Sequence, residues 1–216
     1  MQFISPNFTY EKLESPDYTD IVDVFEDRMR NWLLVPAQHL LACNSGVAAV
    51  ALLIGYFEGI EIYRTGKDSQ YKSKEFFIRG FKRVFGTDAY SEHVFDELIT
   101  ALYFQARCGF AHDGLFLNRV FFSYAKPESM YITWPRKNGV FITDGHLESV
   151  IINPSRFVEL IYIHFNKYIA ALRDGIDIQM KMNFQAAVEL KWGLNDPDLI
   201  VGMTEEEFYN GSHRIY

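Results

Sequence analysis

Residues 46–63 have the sequence GVAAVALLIGYFEGIEIY and contain the longest apolar run of the chain. Apolar residues occupy every side of the first three helical turns, and only the last turns become amphipathic, around Glu58 and Glu61. A helix that is apolar on all sides is buried among other elements. The stretch therefore predicts a central buried helix that runs to about Tyr63 and stops at Gly66.

Helical patterns continue on both sides of this stretch. Before it, residues 19–34 place apolar side chains at helical spacing, and Pro36 ends or restarts that helix. After it, the periodicity predicts a helix over 73–85, another that ends near residue 107, and two more over 154–173 and 177–192. The chain has no repeats and no long linker, so residues 1–216 are predicted to form a single domain.

The pattern changes after Gly114. Residues 115–152 contain short segments rich in β-branched and aromatic residues, separated by turn signals such as Asn138-Gly139 and Asp144-Gly145. This pattern predicts two to four short strands. The predicted fold class is therefore mainly α, a helical bundle with a small antiparallel β insertion at about residues 115–152.

Composition excludes several classes of protein. Hydrophobic residues make up 49% and charged residues 23%, which is ordinary globular usage. The N-terminal residues lack the pattern of a signal peptide, and the apolar run is too short to span a bilayer. Cys43 and Cys108 make no disulfide framework, and no Cys/His spacing or glycine-rich loop indicates a metal or cofactor. We therefore expect a reduced cytoplasmic protein with no membrane contact, no metal and no cofactor.

The net charge of −7 argues against a general nucleic-acid coat protein, but charge is unevenly placed. Between residues 64 and 83, seven basic residues outnumber two acidic ones, and aromatic residues are interleaved. Such a stretch binds a phosphate backbone or is simply a solvated helix face whose aromatics point inward, and the second interpretation is favoured. The candidate RNA-binding residues within it are Lys72, Lys74, Arg79, Lys82 and Arg83.

One motif carries chemistry. Residues 102–114, LYFQARCGFAHDG, join Arg107 at a predicted helix end to His112 after four intervening residues. RNA cleavage without metal needs three groups. A base takes a proton from the ribose 2′-hydroxyl, an acid protonates the leaving 5′-oxygen, and a cation stabilises the negative charge that builds on the phosphate. Imidazole suits proton transfer because its pKa lies near neutrality, and guanidinium grips two phosphate oxygens while it stays charged. DNA lacks the 2′-hydroxyl that this route requires.

The Arg-x4-His motif resembles the signature of the HEPN superfamily, in particular its plasmid- and defence-associated members, and the helix GYFEGIEIY is compatible with that family. The resemblance implies an all-α bundle, usually a homodimer, in which the two motifs face each other. It also implies a metal-independent endoribonuclease, often a toxin or defence effector with a cognate antitoxin or regulator. Carried over, Arg107 would bind the scissile phosphate and His112 would be general base or acid.

Geometry leaves alternatives open. In one unbroken α-helix, positions five apart lie about 140° apart around the axis, so either Gly109 breaks the helix or a partner subunit completes the site. Possible supporting residues are Cys108, Asp113, Glu58 and Tyr103. In a purely structural interpretation, Arg107 caps a helix end, His112 bonds Asp113, and Glu58 belongs to a solvated helix end.

A second function stays open beside the first. The HEPN family often has Asn, Asp or His directly after the arginine, whereas this chain has Cys108. A thiol is a poor substitute for a polar orienting group. That departure favours a non-catalytic HEPN-like module that dimerises and binds a protein partner or a nucleotide.

Overall fold

The computed structural model describes residues 3–86, 91–194 and 210. Helices account for 63% of the structure and strands for 10%, with the strands in small separate sheets. The predicted fold class, mainly α with small β parts, is confirmed.

The chain divides into two compact units. The terminal unit consists of Met1–Leu33, Ile62–Asp68 and Lys167–Tyr216, and the central unit of Leu34–Glu61 and Ser69–Asn166. The prediction that residues 1–216 form a single domain stays a prediction.

The terminal unit is built around packed aromatic rings. Its elements are the antiparallel strands β1 (Phe3–Ser5) and β2 (Phe8–Thr9), a 3₁₀ turn (Tyr10–Leu13), helix α1 (Tyr18–Arg28) and helix α9 (Ile178–Trp192), together with the ends of α4 and α8 described below. Asp17 and Asp20 form a reciprocal capping box that starts α1. The buried ring of Phe25 lies 4.4 Å from the ring of Tyr63 and 5.2 Å from that of Phe184.

The central unit is mostly helical. A π-helical segment, Met29–Leu34, leads into α2 (Val35–Ala42), where Pro36 occupies the first turn, a position that needs no backbone N–H donor. The elements that follow are α3 (Gly46–Leu53), α4 (Tyr56–Thr65), α5 (Ser73–Phe85), α6 (Glu92–Ala101), a second π-helical segment (Leu102–Cys108), α7 (Gly109–Asp113) and α8 (Pro154–Asp174).

The short strands follow α7, in the predicted region. They are β3 (Val120–Phe122), β4 (Met130–Thr133), β5 (Arg136–Lys137), β6 (Val140–Phe141) and β7 (Ser149–Ile152). The β5–β6 pair is an antiparallel hairpin, and β7 lies between β4, which is antiparallel to it, and β3, which is parallel to it. The parallel pair arises because β4 and the hairpin together form a long crossover between β3 and β7.

The predicted central helix is present as α3 and α4, separated by a turn at Ile54–Gly55. By length and composition alone, Gly46–Thr65 could cross a membrane, yet 61% of its most apolar window is buried inside the protein. Buried core helices pass the same test of length and composition, so this one helix is weak evidence for a membrane span. The cytoplasmic location stays a prediction.

Helices α4 and α5 approach each other closely at Phe57 and Gly80. The ring of Phe57 is fully buried and lies 5.3 Å from the rings of both Phe77 and Phe81. A Cβ atom at Gly80 would overlap the carbonyl oxygen of Phe57 and come within 2.6 Å of its carbonyl carbon. Because this obstacle is backbone, only a residue without a side chain fits there.

We expect Gly80→Ala to lower the free energy of unfolding by about 2 kcal/mol, since α4 and α5 must move apart. Gly59→Ala is the matched control, because a Cβ at Gly59 in α4 meets nothing within 4 Å. The control should be neutral or gain up to about 1 kcal/mol from helix propensity. Urea denaturation measures both, and equal stability of the two variants would contradict the close approach.

Candidate functional site

Arg107 and His112 lie on one continuous helical stretch. Helix α6 passes directly into the π-helical segment Leu102–Cys108 and then into α7. Gly109 has helical dihedral angles, φ −55° and ψ −49°, so it does not break the helix, which ends instead at Gly114 in the left-handed conformation. The π-helical segment contains Arg107, and such segments occur frequently at functional sites.

Gly109 is required by packing. The chain turns back after Gly114, and a Cβ at Gly109 would lie 2.9 Å from the carbonyl oxygen of Leu115 and 2.8 Å from the side chain of Leu117. The N–H of Leu117 also donates to the carbonyl of Gln105 at 2.9 Å. The returning segment is therefore held directly against the π-helical turn that carries Arg107.

Glu58 holds the side chain of Arg107. The Nη2 atom of Arg107 donates to Oε2 of Glu58 at 2.8 Å, and the hydroxyl of Ser69 donates to Oε1 at 2.8 Å. Partial burial disfavours the guanidinium charge, but the Glu58 carboxylate outweighs it and raises the pKa of Arg107 above its ordinary value. Glu58 therefore contacts Arg107 instead of lying at a solvated helix end, which was the favoured interpretation of the sequence, and Arg107 stays charged at any physiological pH.

Most donors of Arg107 remain available. Its side chain keeps 27% of its surface exposed, and the Glu58 bond uses one of its five N–H groups. Within residues 3–86 and 91–194, the guanidinium of Arg107 donates no second hydrogen bond. A guanidinium that is fixed on one edge and open on the other matches the geometry of phosphate binding.

Tyr103 lies one turn before Arg107. The guanidinium carbon of Arg107 is 6.0 Å from the centre of the Tyr103 ring, and that ring packs edge-on against Phe77 at 5.5 Å. Burial and then the adjacent Cys108 raise the pKa of Tyr103 above its ordinary value. Glu58, Tyr103, Arg107 and Cys108 therefore form one cluster, whereas Asp113, the fourth possible supporting residue, is not part of it.

His112 and Asp113 differ from the residues of this cluster in their exposure and in their side-chain contacts. Both are exposed, and neither side chain makes a hydrogen bond or ion pair with any residue that the structure describes, so the bond between them that the purely structural interpretation required is absent. Four residues separate His112 from Arg107, and positions five apart lie about 140° apart around the axis of an ideal α-helix. A single chain thus fixes the arginine and leaves the histidine free on another face of the same helix.

The basic stretch is a helix face only in α5, where Phe76, Phe77 and Phe81 are buried as the favoured interpretation predicted. Tyr71 lies in the loop before α5 and is instead 97% exposed. Lys72 and Lys82 are exposed, and the Nζ atoms of Lys74 and Lys82 lie 5.0 Å and 4.9 Å from the rings of Phe104 and Phe95.

The arginines of α5, Arg79 and Arg83, form ion pairs with Glu61. The Nε atom of Arg83 donates to Oε2 of Glu61 at 2.5 Å, and Nε of Arg79 lies 3.3 Å from Oε1. Glu61 is completely buried and Glu58 nearly so, which corrects the expectation of a solvated helix end. The signal in the sequence was the placement of both acids in a largely apolar helix, because a buried carboxylate requires a cationic partner.

Metal ligands are not clustered in the described part of the chain, where no group of three or more His, Cys, Asp or Glu residues could hold an ion. Comparisons with family models, curated proteins and solved structures found no match to this chain. The resemblance to the HEPN superfamily therefore stays a prediction.

We expect Glu61→Gln to lower the free energy of unfolding by about 2–3 kcal/mol, because Arg79 and Arg83 lose a buried counter-charge. Glu75→Gln is the matched control, since Glu75 pairs with Arg79 at 3.1 Å but is 55% exposed. Its effect should stay within about 0.5 kcal/mol. Chemical denaturation of both variants distinguishes them, and a small loss for Glu61→Gln would show that the buried pairs contribute little.

Proposed function

We propose that the protein is a metal-independent endoribonuclease whose site pairs Arg107 of one copy with His112 of a second copy. Arg107 binds the scissile phosphate. The imidazole of His112 takes the proton of the ribose 2′-hydroxyl, the 2′-oxygen attacks phosphorus, and the bond to the 5′-oxygen breaks as the resulting imidazolium returns the proton to that oxygen. The products are a 2′,3′-cyclic phosphate and a 5′-hydroxyl, with no net gain or loss of protons.

One observation carries the proposal: Glu58 fixes Arg107, and among the residues that the structure describes no other group bonds the remaining guanidinium donors or the exposed side chain of His112 on the same helix. The rise along the helix between them is about 7.5 Å. Since the two side chains project in different directions, a two-fold pair of helices supplies what one helix lacks. The positive charge of a guanidinium offsets the charge that builds on the phosphate in the transition state.

The cellular setting belongs to the same proposal. The resemblance to the HEPN superfamily implies that such a ribonuclease acts on cytoplasmic RNA as a toxin or defence effector, and we extend the proposal to that role. A cognate antitoxin or regulator would then hold the activity in check.

A second candidate function is a non-catalytic dimeric interaction or nucleotide-binding module. It is favoured by Cys108 beside the arginine and by an apolar hollow of about 730 Å³ at the end of α7. Phe110, Leu115 and Tyr124 line this hollow and are exposed. Large exposed apolar surfaces mark sites of association.

We expect the wild-type protein to cleave RNA in the presence of EDTA, and Arg107→Ala and His112→Ala each to lose about 100-fold or more in rate. His146→Ala is the matched control, because His146 is an exposed histidine that bonds Glu97 outside this cluster. The measurement is cleavage of labelled RNA with analysis of the product ends. Undiminished cleavage by both variants removes these residues from the mechanism, and an inactive wild type favours the interaction module.

Mixing the two inactive variants tests the shared site. A heterodimer of Arg107→Ala and His112→Ala contains one site with both residues intact, so subunit exchange should restore about a quarter of wild-type activity. A site within one chain would gain nothing from mixing. Light scattering on the same samples reports the oligomeric state, and a strict monomer contradicts the mechanism.

A further inference from the structure

The loop between α4 and α5 presents an aromatic ring to solvent. The side chain of Tyr71 is 97% exposed, and its backbone has φ +62°. A bulky residue in the left-handed region is disfavoured unless packing compensates it. The ring of Tyr71 contacts no other ring and makes no hydrogen bond among the residues that the structure describes. The strained turn therefore holds an aromatic face outward without any benefit to the fold.

Tyr71 borders a hollow of about 560 Å³, which is within the size range of ligand sites. The other residues that line it include Lys72, Lys74, Glu75, Ile78 and Tyr103. Glu75 is the acidic residue of this lining, and its charge is offset by Arg79 at 3.1 Å. The hollow thus combines aromatic faces with an excess of positive charge, which are the two features of a site for single-stranded nucleic acid.

The hollow leads to the candidate phosphate-binding residue. Tyr103 lines it, and the ring of Tyr103 lies 6.0 Å from the guanidinium carbon of Arg107. Next to Tyr103, the ring of Phe104 is 47% exposed. The Nζ atom of Lys74 lies over this ring, 5.0 Å from its centre. Two exposed rings and two lysines therefore lie along one surface that ends at Arg107.

We propose that Tyr71 is a stacking platform for an unpaired base of single-stranded RNA, and that Lys72 and Lys74 bind the adjoining phosphates. This inference rests on the proposed function, since it leads the strand past Tyr103 towards Arg107. Stacking on Tyr71 requires a base whose face is free, so an unpaired strand is selected over a duplex.

Binding is measured with a fluorescent 2′-O-methyl RNA strand, which lacks the free 2′-hydroxyl and is not cleaved. We expect Tyr71→Asn to raise the Kd about tenfold, and Tyr71→Trp to keep wild-type affinity or improve it. Asparagine is chosen because it accepts the left-handed backbone and removes only the ring. Phe141→Asn is the matched control, because Phe141 is an exposed ring 4.2 Å from Arg136 on the β5–β6 hairpin, and its Kd should be unchanged.

The phosphate contacts of Lys72 and Lys74 are measured from the salt dependence of the RNA affinity. Lys72→Ala and Lys74→Ala should each lower the slope of log affinity against log salt by about 0.7, the value for one phosphate contact on a single strand. Tyr71→Asn should leave that slope unchanged, because stacking releases no counterions. A duplex of the same sequence should bind at least tenfold more weakly than the single strand.

The outcomes separate the two proposals. An unchanged Kd for Tyr71→Asn, equal binding of duplex and single strand, or no binding of the probe by the wild type would each overturn the stacking platform, even if RNA is cleaved in an Arg107-dependent way. Binding that depends on Tyr71 in a protein that cleaves no RNA would support the platform and overturn the ribonuclease.

Discussion

Two carboxylates buried three residues apart on α4 constrain the structure around the candidate site. Removing a carboxylate from water costs several kcal/mol unless a cation and hydrogen bonds replace the solvent. Glu61 obtains that compensation from Arg79 and Arg83 of α5, and Glu58 obtains it from Arg107. The need to neutralise Glu58 and Glu61 therefore determines the position of α5 and the position of the Arg107 guanidinium.

The same constraint divides the basic residues by type. The arginines of α5 face the buried acid, because a planar guanidinium tolerates partial burial and bonds a carboxylate with several donors. The lysines stay at the surface, where the flexible stem keeps the ammonium hydrated. The basic residues that follow one another in the sequence thus belong to two groups. The arginines of α5 stabilise the structure, and the lysines lie at the surface, where a ligand can bind.

Prediction from the sequence was most successful where the signal is local. The buried apolar run and the aromatic face of α5 follow from residues within a few turns of one another, and each was predicted, although the turn that divides the run into α3 and α4 was not. The π-helical segment and the parallel pairing of β3 with β7 were not predicted. A π-helical turn differs from an α-helical turn only in the hydrogen bonds that surrounding packing selects, and strand partners depend on residues far apart in the chain.

The candidate site shows the same division. The sequence by itself determined which residue types carry the chemistry, Arg107 and His112, because side-chain reactivity belongs to the residue and not to its neighbours. Only the tertiary structure decided that Glu58 holds Arg107, that Gly109 continues the helix and that His112 stays exposed. These outcomes depend on which distant segments of the chain come into contact. Some contacts bury a charged side chain beside a partner of opposite charge, and others leave a charged side chain in solvent.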